Sequence, residues 1–196
     1  SAISSATNPS TFGQNVTFTA TVAAVAPATG TPTGTMTFNG ASGAPVTVPL
    51  SGGSATFSTS TLALGPHSVT VTYNGDANFN TSSSAALTQT VNAAGNTITF
   101  NKPPDTPFTS TPPTLNATAT SGVAPTYASN SGPVCTVTSA GAITFISAGV
   151  CSITASQGAT GNYAAATPVT QTFNVTAGVN TITFNKPADT PFTSRP

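Results

Sequence analysis

Seven ionisable groups stand out in this chain: His67, three aspartates (Asp76, Asp105, Asp189) and three bases (Lys102, Lys186, Arg195). There is no glutamate. A nucleophilic triad needs a base with an acid behind it. His67 is the sole histidine, sits next to Pro66 in an alternating run, and has only Asp76 within its own stretch of chain. It therefore reads as a surface or hairpin-flanking residue. Glycoside hydrolysis needs two carboxylates across one cleft, and the three aspartates fall in three successive segments. Calcium takes six to eight oxygens, several of them from carboxylates. The run Gly75-Asp76-Ala77-Asn78 offers one carboxylate and one amide, so it reads as an Asx turn rather than a cation loop. No glycine-rich segment precedes a helical pattern, which removes the usual phosphate cradle. The residues thus predict no catalytic group, no metal site and no cofactor.

Two cysteines remain, Cys135 and Cys151, each opening an alternating run (CTVTS and CSITA). Either they pair, closing a loop of about 15 residues at a gain of about 3 kcal/mol, or they are two buried thiols. Two sulfurs with no histidine nearby do not make a zinc site. A bridge implies an oxidising compartment. Four glycosylation sequons occur, at Asn15, Asn80, Asn116 and Asn174.

The elements that position these residues are strands. Only 3% of residues are charged, net charge is zero and 37% are apolar, against about 25% charged in ordinary soluble domains. Disordered chains combine low hydrophobicity with high net charge, and this chain has neither. Nucleic acid and anionic lipid both require clustered lysine and arginine, which are absent, and no apolar run is long enough for membrane insertion. Polarity comes from hydroxyls and amides instead, above all from threonine. In Asn15–Val22, the residues Val16, Phe18, Ala20 and Val22 share one face, a period of two. Further strands are expected near Ala2–Ser4 and over Thr35–Phe38, Val46–Leu50, Ala55–Phe57, His67–Tyr73 and Ser84–Val91. Asn39-Gly40 signals a tight turn, and Ser51-Gly52-Gly53-Ser54 predicts a hairpin between its flanking strands. A second series is expected over Thr97–Phe100, Leu115–Thr120, Thr126–Ser129, Val134–Thr138, Ala142–Ile146, Val150–Ala155 and Gln171–Val175. About seven short strands per series, with turn signals every 8–12 residues, predict all-β, immunoglobulin-like sandwiches.

Asn96–Ser110 reads NTITFNKPPDTPFTS and Asn180–Ser194 reads NTITFNKPADTPFTS, differing only at Pro104 and Ala188. The offset from Asn96 to Asn180 is close to the length of one small sandwich domain, so the two copies predict a tandem array. Its modules are 1–93 and 94–177, arranged end to end, followed by 178–196 as the first strand (Thr181–Phe184) of a truncated third. The modules also share Asn78-Phe79 and Asn162-Tyr163 ahead of their last strands. Thr-rich, uncharged edges lack the usual guards. The expected partners are neighbouring repeats of the same chain and, through Thr181–Phe184, a homopolymer.

The segments NPSTFGQNVTFTATV, TPTGTMTF and LSGGSATFSTSTLALGPHSVTVTYNGDANFNTSSSAALTQTV resemble the bacterial immunoglobulin-like repeats of large surface and adhesin proteins. The second series (NTITF, VCTVTSAGAITFISAGVCSITASQGATGNY, TPVTQTFNV) resembles a sister repeat with a paired-cysteine hairpin. The resemblance implies a non-catalytic structural repeat of an extracellular bacterial stalk, adhesin or filament, secreted or held at the cell surface. The alternative is a carbohydrate- or ligand-binding module of a secreted protein. Sugar sites stack aromatic rings, and the chain has no tryptophan and three tyrosines, Tyr73, Tyr127 and Tyr163. Some surface immunoglobulin-like domains join a first-strand lysine to a last-strand asparagine, promoted by a buried acid. Lys102, Asn174 and Asp105 hold comparable places, although a surface pair between Lys102 and Asp105 accounts for them at under about 1 kcal/mol.

Every basic residue precedes a proline: Lys102-Pro103, Lys186-Pro187 and Arg195-Pro196. Trypsin cleaves poorly at such bonds. The reduced, denatured chain is therefore expected to survive trypsin as a single species by mass spectrometry; efficient fragmentation would contradict this.

Overall fold

The computed structural model describes residues 1–188; Asp189, Arg195 and the end of the second repeat copy lie outside the described residues. All regular structure among the described residues is β. The first series runs β1 (Ala2–Ser5), β2 (Ser10–Thr11), β3 (Val16–Thr21), β4 (Thr35–Asn39), β5 (Val46–Pro49), β6 (Ser54–Thr59), β7 (Gly65–Tyr73), β8 (Ser82–Ser83) and β9 (Leu87–Asn92). The second runs β10 (Ile98–Phe100), β11 (Thr106–Pro107), β12 (Ala117–Ala119), β13 (Thr126–Ser129), β14 (Cys135–Val137), β15 (Ile143–Phe145), β16 (Gly149–Gln157) and β17 (Ala166–Thr176). The extra strands over those expected are mostly very short pieces (β2, β8, β11), too short to show a period.

The described chain divides into two compact units. One comprises Ser1–Thr99, Ala117–Pro125 and Ser156–Val169; the other comprises Phe100–Asn116, Thr126–Ala155 and the chain from Thr170 onward. This partition differs from the repeat period, because the start of the second repeat and its 160–164 turn cluster with the first unit. Ala94 shows why: its amide donates to the Asn162 carbonyl (2.9 Å) and its carbonyl accepts from Ala164 (2.9 Å).

In the first unit, one sheet has the order β1-β3-β6 and the other β2-β9-β7-β4-β5, with β8 beside β7. The alternation does what it predicts. Val16, Phe18 and Ala20 from β3 bury against Met36 and Phe38 of β4, Ala55 of β6, Val69, Val71 and Tyr73 of β7, and Val91 of β9. The intervening threonines face outward, and several bond hydroxyl to hydroxyl across strands, as Thr37 does with Thr47 at 2.9 Å. A large apolar side chain so buried stabilises by about 1.5–3 kcal/mol, which makes this core the principal source of the unit's stability.

Two turn expectations need correction. Ser51–Ser54 is indeed a tight turn, closed by reciprocal backbone bonds (2.8 and 3.1 Å), but β5 and β6 do not form the predicted hairpin. β5 pairs with β4 and β6 pairs with β3, in different sheets. The Leu50 amide is held by the Gly34 carbonyl (2.9 Å), which keeps β5 on its own sheet while the chain crosses. Asn39-Gly40 does not by itself join β4 to β5; the connection runs over 40–45. Gly40 has φ 77°, and a Cβ there would stand 2.2 Å from the Ser68 carbonyl oxygen, so the glycine serves a close backbone approach to β7.

The second unit centres on a sheet of order β11-β17-β16-β13 and the hairpin β14-β15. Its core is smaller: Phe100, Leu115, Ile153, Ala155, Phe173 and Val175 are buried, as are Cys135 and Cys151. Phe100 meets Tyr127 edge-on at 5.7 Å, and Phe145 meets Phe173 at 6.2 Å. The cysteines form a disulfide, with Cα atoms 5.7 Å apart, linking β14 to β16. Both are fully buried, so the bridge joins the two-stranded hairpin to the larger sheet at the centre of the core.

The expected strand Thr181–Phe184 does not form. Ile182 and Phe184 are 92% and 84% exposed and the segment carries no pairing. Its earlier copy supplies β10, which pairs with β12 and buries Phe100. Without an edge to bond, an extended segment has no reason to stay a strand.

The disulfide closes a separation of 16 residues, for which chain entropy gives about 3 kcal/mol. Replacing Cys135 and Cys151 together by serine is expected to lower the second unit's unfolding free energy by about that amount in urea. Unchanged stability would contradict the role assigned to the bridge.

Candidate functional site

The residues singled out for chemistry are scattered among structural tasks. The His67 ring nitrogen Nε2 lies 2.8 Å from the Ala63 carbonyl, and the side chain lines a shallow hollow of about 250 Å³ with Gly40, Ser42, Thr61 and Leu62. No carboxylate is among those lining residues, so nothing there orients the ring as a base.

Asp76 is the most constrained acid. Its Oδ2 accepts from the Thr33 amide and the Thr33 hydroxyl (2.7 Å each), and its Oδ1 accepts from the Asn78 and Phe79 amides (2.7 and 2.8 Å). This is the Asx turn expected from the sequence, extended by a tie to the segment before β4. Four donors converge on the two oxygens, which leaves a cation no coherent set of lone pairs. The Thr33 bonds first, and then those from Asn78 and Phe79, hold the carboxyl far below the usual carboxylate range. Beside it the Tyr73 hydroxyl is sealed from solvent without a well-formed hydrogen bond; burial, and then the Asp76 charge, push its pKa up.

Asp105 does similar work. Its Oδ1 accepts from the Asn174 amide (2.9 Å) and its Oδ2 from the Asn174 side-chain nitrogen (3.0 Å), while Lys102 Nζ stands 3.4 Å from Oδ1. The structure therefore brings Lys102, Asp105 and Asn174 together. They do not form a crosslinking site, because Lys102 and Asp105 are 57% and 44% exposed. The bonds from Asn174, with a smaller contribution from Lys102, also lower the Asp105 pKa. An acid kept ionised has no proton to give an amide leaving group. What the cluster does is fasten β11, which pairs in parallel with β17 (Thr106 opposite Val175).

The first unit has a matching clasp that the sequence reading missed. The Asn8 side chain accepts from the Thr90 amide (3.0 Å) and donates to the Thr88 carbonyl (2.7 Å), beside the parallel pairing of Ser10 with Val91. Gln89, fully buried, completes it by donating to the Thr7 carbonyl (2.9 Å) and accepting from the Ser5 hydroxyl (2.6 Å). The signal was present only as a polar residue before a short extended run in each repeat.

Of the four sequons, Asn15, Asn80 and Asn116 are exposed outside strands, and Asn174 is exposed on β17 with its amide engaged by Asp105. Among the described residues no cluster of three or more His, Cys, Asp or Glu could hold a metal ion, and no helix is long and apolar enough to cross a membrane.

Residues 3–92 match the family model of the bacterial Ig-like domain (group 3). Among solved structures, fibronectin(III)-like modules of Clostridium thermocellum CbhA align over 94% of this chain and 100% of theirs, at 12% identity and a TM-score of 0.33. A likeness of that size carries no weight here. No curated protein matches. The family match and the geometry agree on a structural or binding module.

Asp76 and Asp105 both titrate below the unfolded value of about 4. Their ionised forms are the ones the fold favours, so their contribution is complete above that value and is lost progressively as pH falls below it through their lower folded-state values. With so few other ionisable groups, stability is expected to stay flat from about pH 5 to 9 and to fall below about pH 4. Asp76→Asn should flatten that acid limb in thermal melts taken across pH. An equal acid limb in the variant would contradict the assignment.

Proposed function

We propose that this chain is a non-catalytic spacer from a tandem array outside a bacterial cell, in a stalk, adhesin or filament, with its modules laid end to end. The observation that carries the reading is the repeated segment. It recurs with a single substitution, Pro104 against Ala188, and its earlier copy has purely architectural roles: β10, β11 and the Asp105 clasp on β17. A sequence repeated for chemistry would repeat nucleophiles, bases or ligands; this one repeats a module's opening.

A surface made of hydroxyls and amides keeps its polarity across pH and salt, which suits an exterior location. The buried disulfide is compatible with an oxidising one. The binding alternative has less support, because two of the three tyrosine rings a sugar could stack on are engaged: Tyr73 is buried and Tyr127 packs on Phe100. Neighbouring repeats are the partners this reading names. Association between chains through the exposed Thr181–Phe184 segment is its self-assembling form.

An antibody raised against the folded chain is expected to label intact, unpermeabilised cells of the source bacterium. Labelling only after lysis would overturn the exterior assignment. Specific capture on a glycan array would move the chain to the binding class.

A further inference from the structure

One strand of the first unit has an unguarded flank. In its sheet β6 pairs with β3 alone, in a register from Val16 opposite Thr59 to Thr21 opposite Ser54. Bonded and unbonded residue pairs alternate along an antiparallel ladder. The Val22 amide donates to the Gly53 carbonyl (2.9 Å), which continues this register, so Ala55, Phe57 and Thr59 are the residues that bond to β3. The far side of β3 agrees: the Ala6 amide donates to the Thr17 carbonyl (3.0 Å), so Thr17 turns to β1. Thr56 and Ser58 therefore aim their backbone N–H and C=O groups away from β3. Among the described residues these four groups have no partner, and both residues are exposed.

An open flank usually carries a charge, a proline or a bulge that blocks further pairing. β5, an edge of the other sheet, has Pro49 on its open side, because the Leu50 bond to Gly34 turns Val48 and Val46 toward β4. β6 has no such guard. It reads SATFST, without charge or proline, and its register with β3 runs unbroken over six positions. The flank also fits itself. Turned about a two-fold axis through Phe57, Thr56 of one copy comes opposite Ser58 of another, so outward donors meet outward acceptors. Phe57 then faces Phe57 across the unbonded pair, where side chains stand closest. That ring is half-buried beside Phe38 at 5.9 Å, and the pairing covers the part left open. On the outer face Thr17 and Ser58 bond hydroxyl to hydroxyl (2.8 Å), and the row continues onto Thr56 of the second copy.

We propose that the open flank of β6 is a docking surface for the same flank of a second copy of this chain. The two strands run antiparallel and join β1-β3-β6 of each copy into one six-stranded sheet. The Thr56 amide donates to the second copy's Ser58 carbonyl and the Ser58 amide to its Thr56 carbonyl; with the reciprocal pair, four backbone bonds span the seam. The contact is isologous, so it closes as a pair and does not propagate. So small a seam buries far less than the roughly 1,200–2,000 Å² of a stable interface, and the pairing is accordingly weak. The proposal goes beyond the spacer reading and needs neither an exterior location nor the Thr181–Phe184 segment, so failed cell labelling would leave it standing.

The test is a concentration series of the full chain into the millimolar range, with amide resonances and translational diffusion followed by NMR. The Thr56 and Ser58 amides are expected to shift together as diffusion slows to the value of a dimer and no further. Thr56→Pro removes an outward donor that the fold itself does not use and should abolish both effects. Thr56→Lys keeps the backbone intact and sets a charge from each copy on the seam; it should lose both effects over the same range, which keeps the test usable if Thr56→Pro misfolds. Unchanged diffusion at the highest concentration would overturn the proposal. So would slowing undiminished in Thr56→Lys, slowing that continues past a dimer, or slowing with shifts at Thr181–Phe184 in place of Thr56 and Ser58, which would mark association through that segment.

Discussion

The fold depends on how its last strands are fastened. In each unit a two-residue strand runs parallel to the C-terminal strand, β2 on β9 and β11 on β17. So short a strand supplies too few backbone bonds to hold itself against its conformational entropy. A side chain immediately upstream makes up the deficit: Asn8 on Thr90 and Thr88, Asp105 on both nitrogens of Asn174. An amide and a carboxylate thus perform one task on equivalent strands. Once the last strand is clasped, the alternating apolar residues on β9 and β17 are committed to the core side, and the rest of each sheet builds outward from them.

The scarcity of charge explains why fastening takes this form. With three acids and three bases, ion-pair networks are out of reach, and the surface pair Lys102–Asp105 serves a carboxylate already engaged by Asn174. Cohesion at the surface comes instead from hydroxyl pairs across strands, such as Thr97 with Thr120 (2.6 Å), Thr154 with Thr170 (2.7 Å) and Thr17 with Ser58 (2.8 Å). Cross-strand pairs of this kind contribute roughly 0.2–1 kcal/mol each. They resist salt and tolerate wide pH changes, and the donors around Asp76 and Asp105 lower the pKa of both carboxyls. The unit with the thinner core adds a buried disulfide where the first unit has Phe18, Phe38 and Met36.

Local alternation made the strands of the first unit legible: Val16, Phe18 and Ala20 point inward as their spacing requires, and the Asx turn at Asp76 follows from Asp, Ala and Asn in sequence. What could not be read was non-local. Nothing in Ser51–Ser54 tells that the strands on either side join different sheets; that depends on Gly34 holding Leu50. The shortest strands have no period to detect. Asn8 and Gln89 look like ordinary polar residues until the last strand arrives beside them. Thr181–Phe184 has the residues of a strand, yet it stands exposed and unpaired, because pairing depends on an edge as well as on residue type. Among the candidate site residues, the pairing of Cys135 with Cys151 is what the resemblance to a paired-cysteine repeat implies, and the structure forms it; the 76–79 and 160–163 turns share an asparagine and a ring, with no sign in the sequence that one of them grips Ala94.

The clasp itself is best tested by native-state hydrogen exchange at the Asn174 amide, compared between the natural chain and Asp105→Ala. The account predicts an amide protected as strongly as its neighbours on β17 in the natural chain, and exchanging far faster in the variant while the Ile153 core amide stays slow. Equal protection of Asn174 in both proteins would show that the strand needs no side chain to close it.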